Sequence, residues 1–310
     1  MELRVAILAT NPVAARAVAR VIRCGGATVD VVTTPEELGE VLSSGTELVG
    51  FDANALPAVL PFLQLRPSVQ AFLWASESVD PLLEPLLGAP QVNHVFGLRY
   101  PDAPPRPWEL LSIIRRRSGG LAPPLGTGLD WGAWQREWVP ASTADRDQVV
   151  SEVEELCREL AGVRVATTMG EVAHELLMNA MYDAPVDGQG QPIFAHQRTT
   201  TIELAPNQRP RLLCGCDGNR LLLAVNDPFG RLRREHVFGG LHRATAAGTL
   251  DRSGGGAGLG MMMLYRAATL LFFDVVPGSF TQVTVVLELD VPPRDLRHLP
   301  RSIHVFSPAR

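Results

Sequence analysis

Along the first 118 residues, short apolar runs bounded by turn or polar residues alternate with segments of helical period. The runs are RVAILAT at 4–10, ATVDVV at 27–32, ELVGFD at 47–52, VQAFLWAS at 69–76 and HVFGLRY at 94–100. Helical patterns occupy Pro12 to Arg23 and Pro35 to Leu42, and PWELLSIIRRR at 107–117 closes the series. Strands alternating with helices predict an α/β domain with a doubly wound parallel sheet over residues 1–118. In such sheets functional groups collect at the carboxyl ends of the strands.

Glycine and proline then become dense, and residues 119–145 are expected to form a connector. Trp131, Trp134 and Trp138 within it are spaced three and four apart, which would put them on one side of a short helix. Two roles are open for these rings. They cover apolar surface between two domains, or they anchor a homodimer or a protein partner.

A second domain is expected over residues 146–290. Ser142-x-x-Asp145 caps a helix running to Leu160, and Thr168-Met-Gly-Glu171 has the form of a capping box opening the next. TTTIEL at 199–204 and RLLLAVND at 220–227 are expected strands around a turn at Cys216 to Asn219. MMMLYRAATLL is an apolar helix, and FFDVVPGSFTQVTVVLEL at 272–289 predicts a hairpin turning at Pro277-Gly278. Residues 291–310 read as an irregular tail.

Composition narrows the class. The chain has 310 residues, 46% hydrophobic and 20% charged, with net charge −5. That describes a soluble globular protein of two domains and gives no support to nucleic acid as a partner. No apolar run reaches the length of a membrane span, and the N-terminus carries a strand-like segment rather than a signal peptide. The four cysteines are too few and too scattered for a disulfide framework. Cys214-x-Cys216 has neither a second pair nor a nearby histidine to complete a metal site. The expected location is cytoplasmic.

The candidate chemistry lies in two stretches. In EVAHELLMNAMYD, Glu175 and Asn179 are four apart and stack on one helical face. Asn179 offers a hard oxygen to Mg²⁺, and Glu175 can orient a nucleophile or accept its proton. In SGGGAGLGMMM, Gly256, Gly258 and Gly260 with Leu259 give backbone without Cβ atoms opening an apolar helix, where amides favour anions. Together these point to a nucleotide.

With Asp227 after the strand LLLAVND between them, these motifs resemble, in order, those of the GHKL ATP-binding superfamily. That group includes gyrase, histidine kinases and the MutL proteins, with bacterial anti-sigma serine kinases as relatives. The resemblance implies a C-terminal α/β sandwich that binds ATP and Mg²⁺. Asn179 would ligate the metal, Asp227 would bond the adenine amino group, and Gly256, Gly258 and Gly260 would hold the phosphates. Glu175 would be the general base in members that do chemistry. The family's Asp-x-Gly-x-Gly is replaced by Asp227-Pro228-Phe229-Gly230, leaving Gly230 one position late. Arg231 to Ser253 fits the family's mobile lid, and Arg233, Arg234, Arg243 and Arg252 would be candidates to contact phosphates there, although surface arginines are more often solvated or paired with acids and none is singled out.

The first domain resembles a response-regulator receiver, a flavodoxin-like fold. Asp52 falls where the phosphorylated aspartate would be, Ser76 fits the usual Ser/Thr, and Arg99 stands near the expected lysine. Ala9, Thr10 and Asn11 stand where receivers carry an acidic pair for Mg²⁺, so the domain is read as a pseudo-receiver. Asp52 is either a phosphoacceptor or a loop-capping aspartate. No histidine lies between Val95 and Ala173, which argues against a histidine autokinase. Three functions remain. One is a regulator that binds ATP-Mg and phosphorylates Ser or Thr on a protein partner. The second is a catalytically silent scaffold in which ATP orders the lid, and the third is a slow ATPase that opens and closes a dimer.

Overall fold

The computed structural model describes residues 2–9, 11–100, 103–119, 123–195, 197–246, 257–296 and 298–307. The chain forms two compact units, Met1–Pro123 with Arg297–His304, and Pro124–Leu296 with Val305–Arg310. No described helix is long and apolar enough to cross a membrane.

The first unit runs β1 (Arg4–Leu8), α1 (Pro12–Cys24), β2 (Thr28–Val32), α2 (Pro35–Leu42), β3 (Leu48–Asp52), α3 (Leu56–Gln64), β4 (Gln70–Ala75), α4 (Leu83–Leu87), β5 (Val92–Gly97) and α5 (Pro107–Arg117). Its parallel strands lie in the order β2-β1-β3-β4-β5, the doubly wound order of flavodoxin and CheY. Local chemistry sets the helix starts. The Asn11 side chain accepts from the Val13 and Ala14 amides with Pro12 in the first turn, and Thr34 and Glu37 form a capping box on α2. Helix α1 then buries Ala15, Val18, Ala19 and Ile22 on one stripe. β3 packs so tightly that a Cβ on Gly50 would lie 2.3 Å from the Phe72 ring.

The last part of the chain is not an irregular tail. Ser302–Phe306 forms β11, antiparallel to β5, with Ile303 opposite Val95 and His304 opposite His94. Gly97 donates its amide to Ser302 Oγ at 3.0 Å. A Cβ on Gly97 would meet the Pro300 carbonyl oxygen at 2.1 Å, so glycine is what lets the two backbones pass. Below this strand His304 Nε2 and Glu109 Oε1 are 2.6 Å apart with both side chains fully buried, and Arg106 Nη1 reaches Glu109 Oε2 at 3.4 Å.

The second unit runs β6 (Trp134–Trp138), α6 (Thr143–Ala161), α7 (Val163–Met178), β7 (Arg211–Cys216), β8 (Arg220–Asp227), α8 (Arg234–Ala246), α9 (Ala257–Ala267), β9 (Leu270–Val276), β10 (Phe280–Glu288) and α10 (Pro293–Leu296). An antiparallel sheet in the order β9-β10-β8-β7-β6 carries α7 on it, with α6 and α9 packed against α7. The expected hairpin at Pro277-Gly278 is present, as is the Ser142–Asp145 capping box on α6.

Three local expectations are corrected. The tryptophan segment is an edge strand rather than a helix, with Trp138 Nε1 donating to Glu152 Oε2 at 2.9 Å and Arg136 over its ring. The strand before the Cys216–Asn219 turn is RLLCGC at 211–216, whereas 199–204 makes only an isolated bridge from Glu203 to Ser142. Thr168 opens no helix. α7 starts after Gly162, whose φ of +83° breaks from α6, and Thr168 Oγ1 bonds back to the Arg164 carbonyl.

Candidate functional site

Helix α7 does not stop at Met178 but widens into one π-type turn, Asn179–Asp183. Such turns displace side chains from the regular helical stripe and recur at functional sites. Here Asn179, Ala180 and Asp183 all face a cavity of about 600 Å³. Tyr182, at the same turn, is fully buried, with its hydroxyl shared between Thr143 Oγ1 and the Thr200 carbonyl. It ties the turn to the loop that follows and does not reach the cavity.

The opposite wall comes from the sheet. Asp227 ends β8 and lies 6% exposed, opposite Thr281 of β10. Its Oδ1 accepts from the Phe229 amide at 3.0 Å, and the Gly230 amide and Thr281 also bond to it. Burial dominates these bonds and pushes its carboxyl up to about 6. Because the folded carboxyl titrates above the usual 3.8, the stability it contributes is complete below about 4 and is lost as pH rises through about 6. Asp227→Asn, neutral throughout, is expected to remove that loss, on the order of 3 kcal/mol at pH 7. Urea titrations of both proteins at pH 4.5 and 7 check it, since an unchanged difference between the two pH values would mean Asp227 is well solvated.

Cations complete the cavity. Arg198 comes from the loop before β7, Arg231 from the segment after β8, and His236 and Arg243 from α8. Arg198 grips Asp183 with both ends of its fork, Nε to Oδ1 at 3.2 Å and Nη2 to Oδ2. The same Nη2 lies 3.5 Å from Asn179 Oδ1, while Asn179 Nδ2 donates to Glu175 Oε1 at 3.0 Å. His236 titrates below its usual value, first through burial and then through Arg233, Arg231 and Arg243 around it. Leu176, Val225, Leu232, Met261, Leu264 and Phe273 supply the apolar lining.

Of the residues singled out from sequence, Asn179 and Asp227 face this cavity from opposite walls. Glu175 does not line it. Its carboxyl, raised by burial, lies against α9, where a Cβ on Gly260 would come within 1.8 Å of Oε1. Gly260 therefore makes room for Glu175. Gly258 and Leu259 belong to the same first turn of α9, and Gly256 lies outside the described residues, as does Arg252. Gly230 has φ +64°, and a Cβ there would meet the Val276 carbonyl at 2.1 Å, so it allows the chain after Asp227 to press on the β9–β10 turn. Arg234, raised as a phosphate contact, stacks on Phe238 instead. Arg243, named with the lid, does line the cavity; Arg231 and His236 lie in the same stretch without having been singled out, and Arg198 carried no local signal in the sequence.

The expected Mg²⁺ can be set against this donor set. A hard cation of this size wants near-octahedral oxygens. The one oxygen assigned to it, Asn179 Oδ1, already faces a guanidinium, and no group of three His, Cys, Asp or Glu suited to a metal occurs among the described residues. The residues present do not fit a resident divalent ion. In the first unit Asp52 caps a short 3-10 turn, its Oδ1 accepting from the Asn54 amide at 2.9 Å. Cys157, Cys214 and Cys216 are buried free thiols, with a hydrogen bond between the Cys157 and Cys214 side chains.

No family model matches the chain, and no curated protein does. Among solved structures it is similar to an orphan response regulator of H. pylori, at 14% identity over 38% of this chain and 94% of the other, TM-score 0.31. It is also similar to a CheY-like response regulator receiver domain protein of Methanospirillum hungatei, at 15% identity over 38% and 94%, TM-score 0.33. A CheY-like protein of Pseudomonas aeruginosa matches at 18% identity over 40% and 98%, TM-score 0.30.

Proposed function

We propose that the second unit binds ATP in this cavity and that the protein is a signalling regulator which switches a protein partner when the nucleotide is bound. The observation that carries this reading is the convergence of a buried carboxylate, Asp227, and three arginines on one cavity of about 600 Å³ with an apolar lining. That volume suits a nucleotide. An aromatic base needs apolar walls and one acceptor for its amino group, and a phosphate chain needs guanidinium forks. Asp227 supplies the acceptor, while Arg231 and Arg243 join Arg198 on the cationic side. The motifs in the sequence agree with this division, since Asn179 and Asp227 fall in the order that the GHKL resemblance requires.

The silent form of the switch is favoured over phosphoryl transfer by the place of Glu175, which lies behind Asn179 and outside the cavity lining. The transfer reading keeps one supporting observation: burial raises the Glu175 carboxyl towards the range of a general base. Calorimetric titration with ATP, ADP and a non-hydrolysable ATP analogue tests the binding. Asp227→Ala is expected to weaken ATP binding tenfold or more, and Asn179→Ala less, because the carboxamide is already engaged by its neighbours. An undisturbed affinity in Asp227→Ala would remove the assignment of the base. Incubating the same mixtures for hours and measuring ADP separates the two forms. Turnover that disappears in Glu175→Gln would establish transfer or hydrolysis.

A further inference from the structure

We propose that Arg198 supplies, at the polar end of this cavity, the positive charge that a divalent cation would otherwise bring, so that the site takes the polyphosphate free of metal. The inference rests on the ATP reading and concerns how that site neutralises its ligand.

The orientation of Asn179 is fixed by its neighbours' chemistry. A carboxylate only accepts hydrogen bonds and a guanidinium only donates them. With Glu175 Oε1 at 3.0 Å from Nδ2 and Arg198 Nη2 at 3.5 Å from Oδ1, the carboxamide oxygen must be the atom that faces Arg198. Exchanging its ends would set like against like on both sides. Mg²⁺ would have to sit about 2.1 Å from that same oxygen. It would then stand against a guanidinium on the one atom offered to it.

Arg198 is also held there. Asp183, one helical turn beyond Asn179, takes Arg198 in a two-point grip, and both side chains are about one-third exposed. The pair therefore sits at the cavity wall with its cation anchored on the protein side. Asp183 would by itself repel a phosphate chain, and its pairing with Arg198 cancels that repulsion. The remaining donors of the guanidinium's five N–H groups are available to phosphate oxygens, joined by Arg231 and Arg243.

The test is a calorimetric titration of the full chain with ATP, once in Mg²⁺ and once in EDTA, on the wild type and on Arg198→Gln and Arg198→Lys. The wild type is expected to bind ATP in both buffers within about threefold. Arg198→Gln frees Asn179 Oδ1 and the Asp183 carboxylate, so it is expected to lose tenfold or more in EDTA and to regain part of that with Mg²⁺. Arg198→Lys keeps the charge and is expected to stay metal-independent, which separates the role of the charge from any effect on folding. Wild-type binding that needs Mg²⁺ by tenfold or more would overturn this inference while leaving the ATP site standing. No ATP binding in either buffer would overturn the ATP reading itself and this inference with it.

Discussion

Glu109→Ala is expected to destabilise the first unit by about 3 kcal/mol, the cost of leaving the buried partners of a truncated carboxyl without their hydrogen bonds. Glu109 and His304 are both fully buried and 2.6 Å apart, and Arg106 touches the second carboxylate oxygen. Truncating the carboxylate leaves the imidazole of His304 and the guanidinium of Arg106 facing a void that water does not readily fill. Glu109→Gln keeps the shape and one acceptor, and is expected to lose about half as much. The readout is hydrogen exchange on Ile303 and His304, whose strand is held at this point, together with the urea midpoint. A loss below about 1 kcal/mol would mean that the pair adds nothing beyond packing.

Gly230→Ala is the second large effect. With φ at +64° the residue sits in the left-handed region, which costs a side chain about 1–2 kcal/mol. The added Cβ would also come 2.1 Å from the Val276 carbonyl oxygen and 2.8 Å from the Gly278 amide, both backbone atoms in the β9–β10 hairpin. Backbone cannot swing aside as a side-chain end does, so a further ~1–3 kcal/mol of overpacking is expected. Because Asp227 is held by the amides of the same turn, ATP affinity is expected to fall along with the melting temperature. By contrast Gly218→Ala, also at positive φ but with open space around its Cβ, should show only the smaller conformational loss. Equal losses in the two variants would show that the contact with the hairpin is unimportant.

The sequence shows the doubly wound unit well because its central strands are buried on both faces. They appear as apolar runs ended by turn residues, and Pro12 and Pro35 mark helix starts. α3 is not marked, since LPAVLPFLQ is apolar nearly all round and has Pro61 inside it. The tryptophan strand was ambiguous for a geometric reason. Residues four apart share a face in a strand of period two as well as in a helix, so Trp134 and Trp138 fit both. Only pairing with β7 decides between them.

Much the same holds for the site. Glu175 and Asn179 are legible because one helix carries both, and Asp227 because it ends a strand. Arg198, Arg231 and His236 reach the cavity from a loop, the segment after β8 and a separate helix, and no spacing along the chain announces them. Gly230 and Gly260 were legible as glycines needing an explanation, but the explanation is close packing against the Val276 carbonyl and the Glu175 carboxyl.

The pairing of β11 with β5 also has a consequence for biosynthesis. The Gly97 amide and the Ser302 hydroxyl that it bonds are separated by 205 positions. At a translation rate of ~5–20 residues per second, roughly 10–40 seconds pass between the emergence of one strand and the other. During that interval the hydrogen-bonding edge of β5 has no strand of its own chain to meet, and a second nascent chain on the same message can pair with it. The unit whose synthesis starts first therefore waits for a strand made only after residues 124–296 of the second.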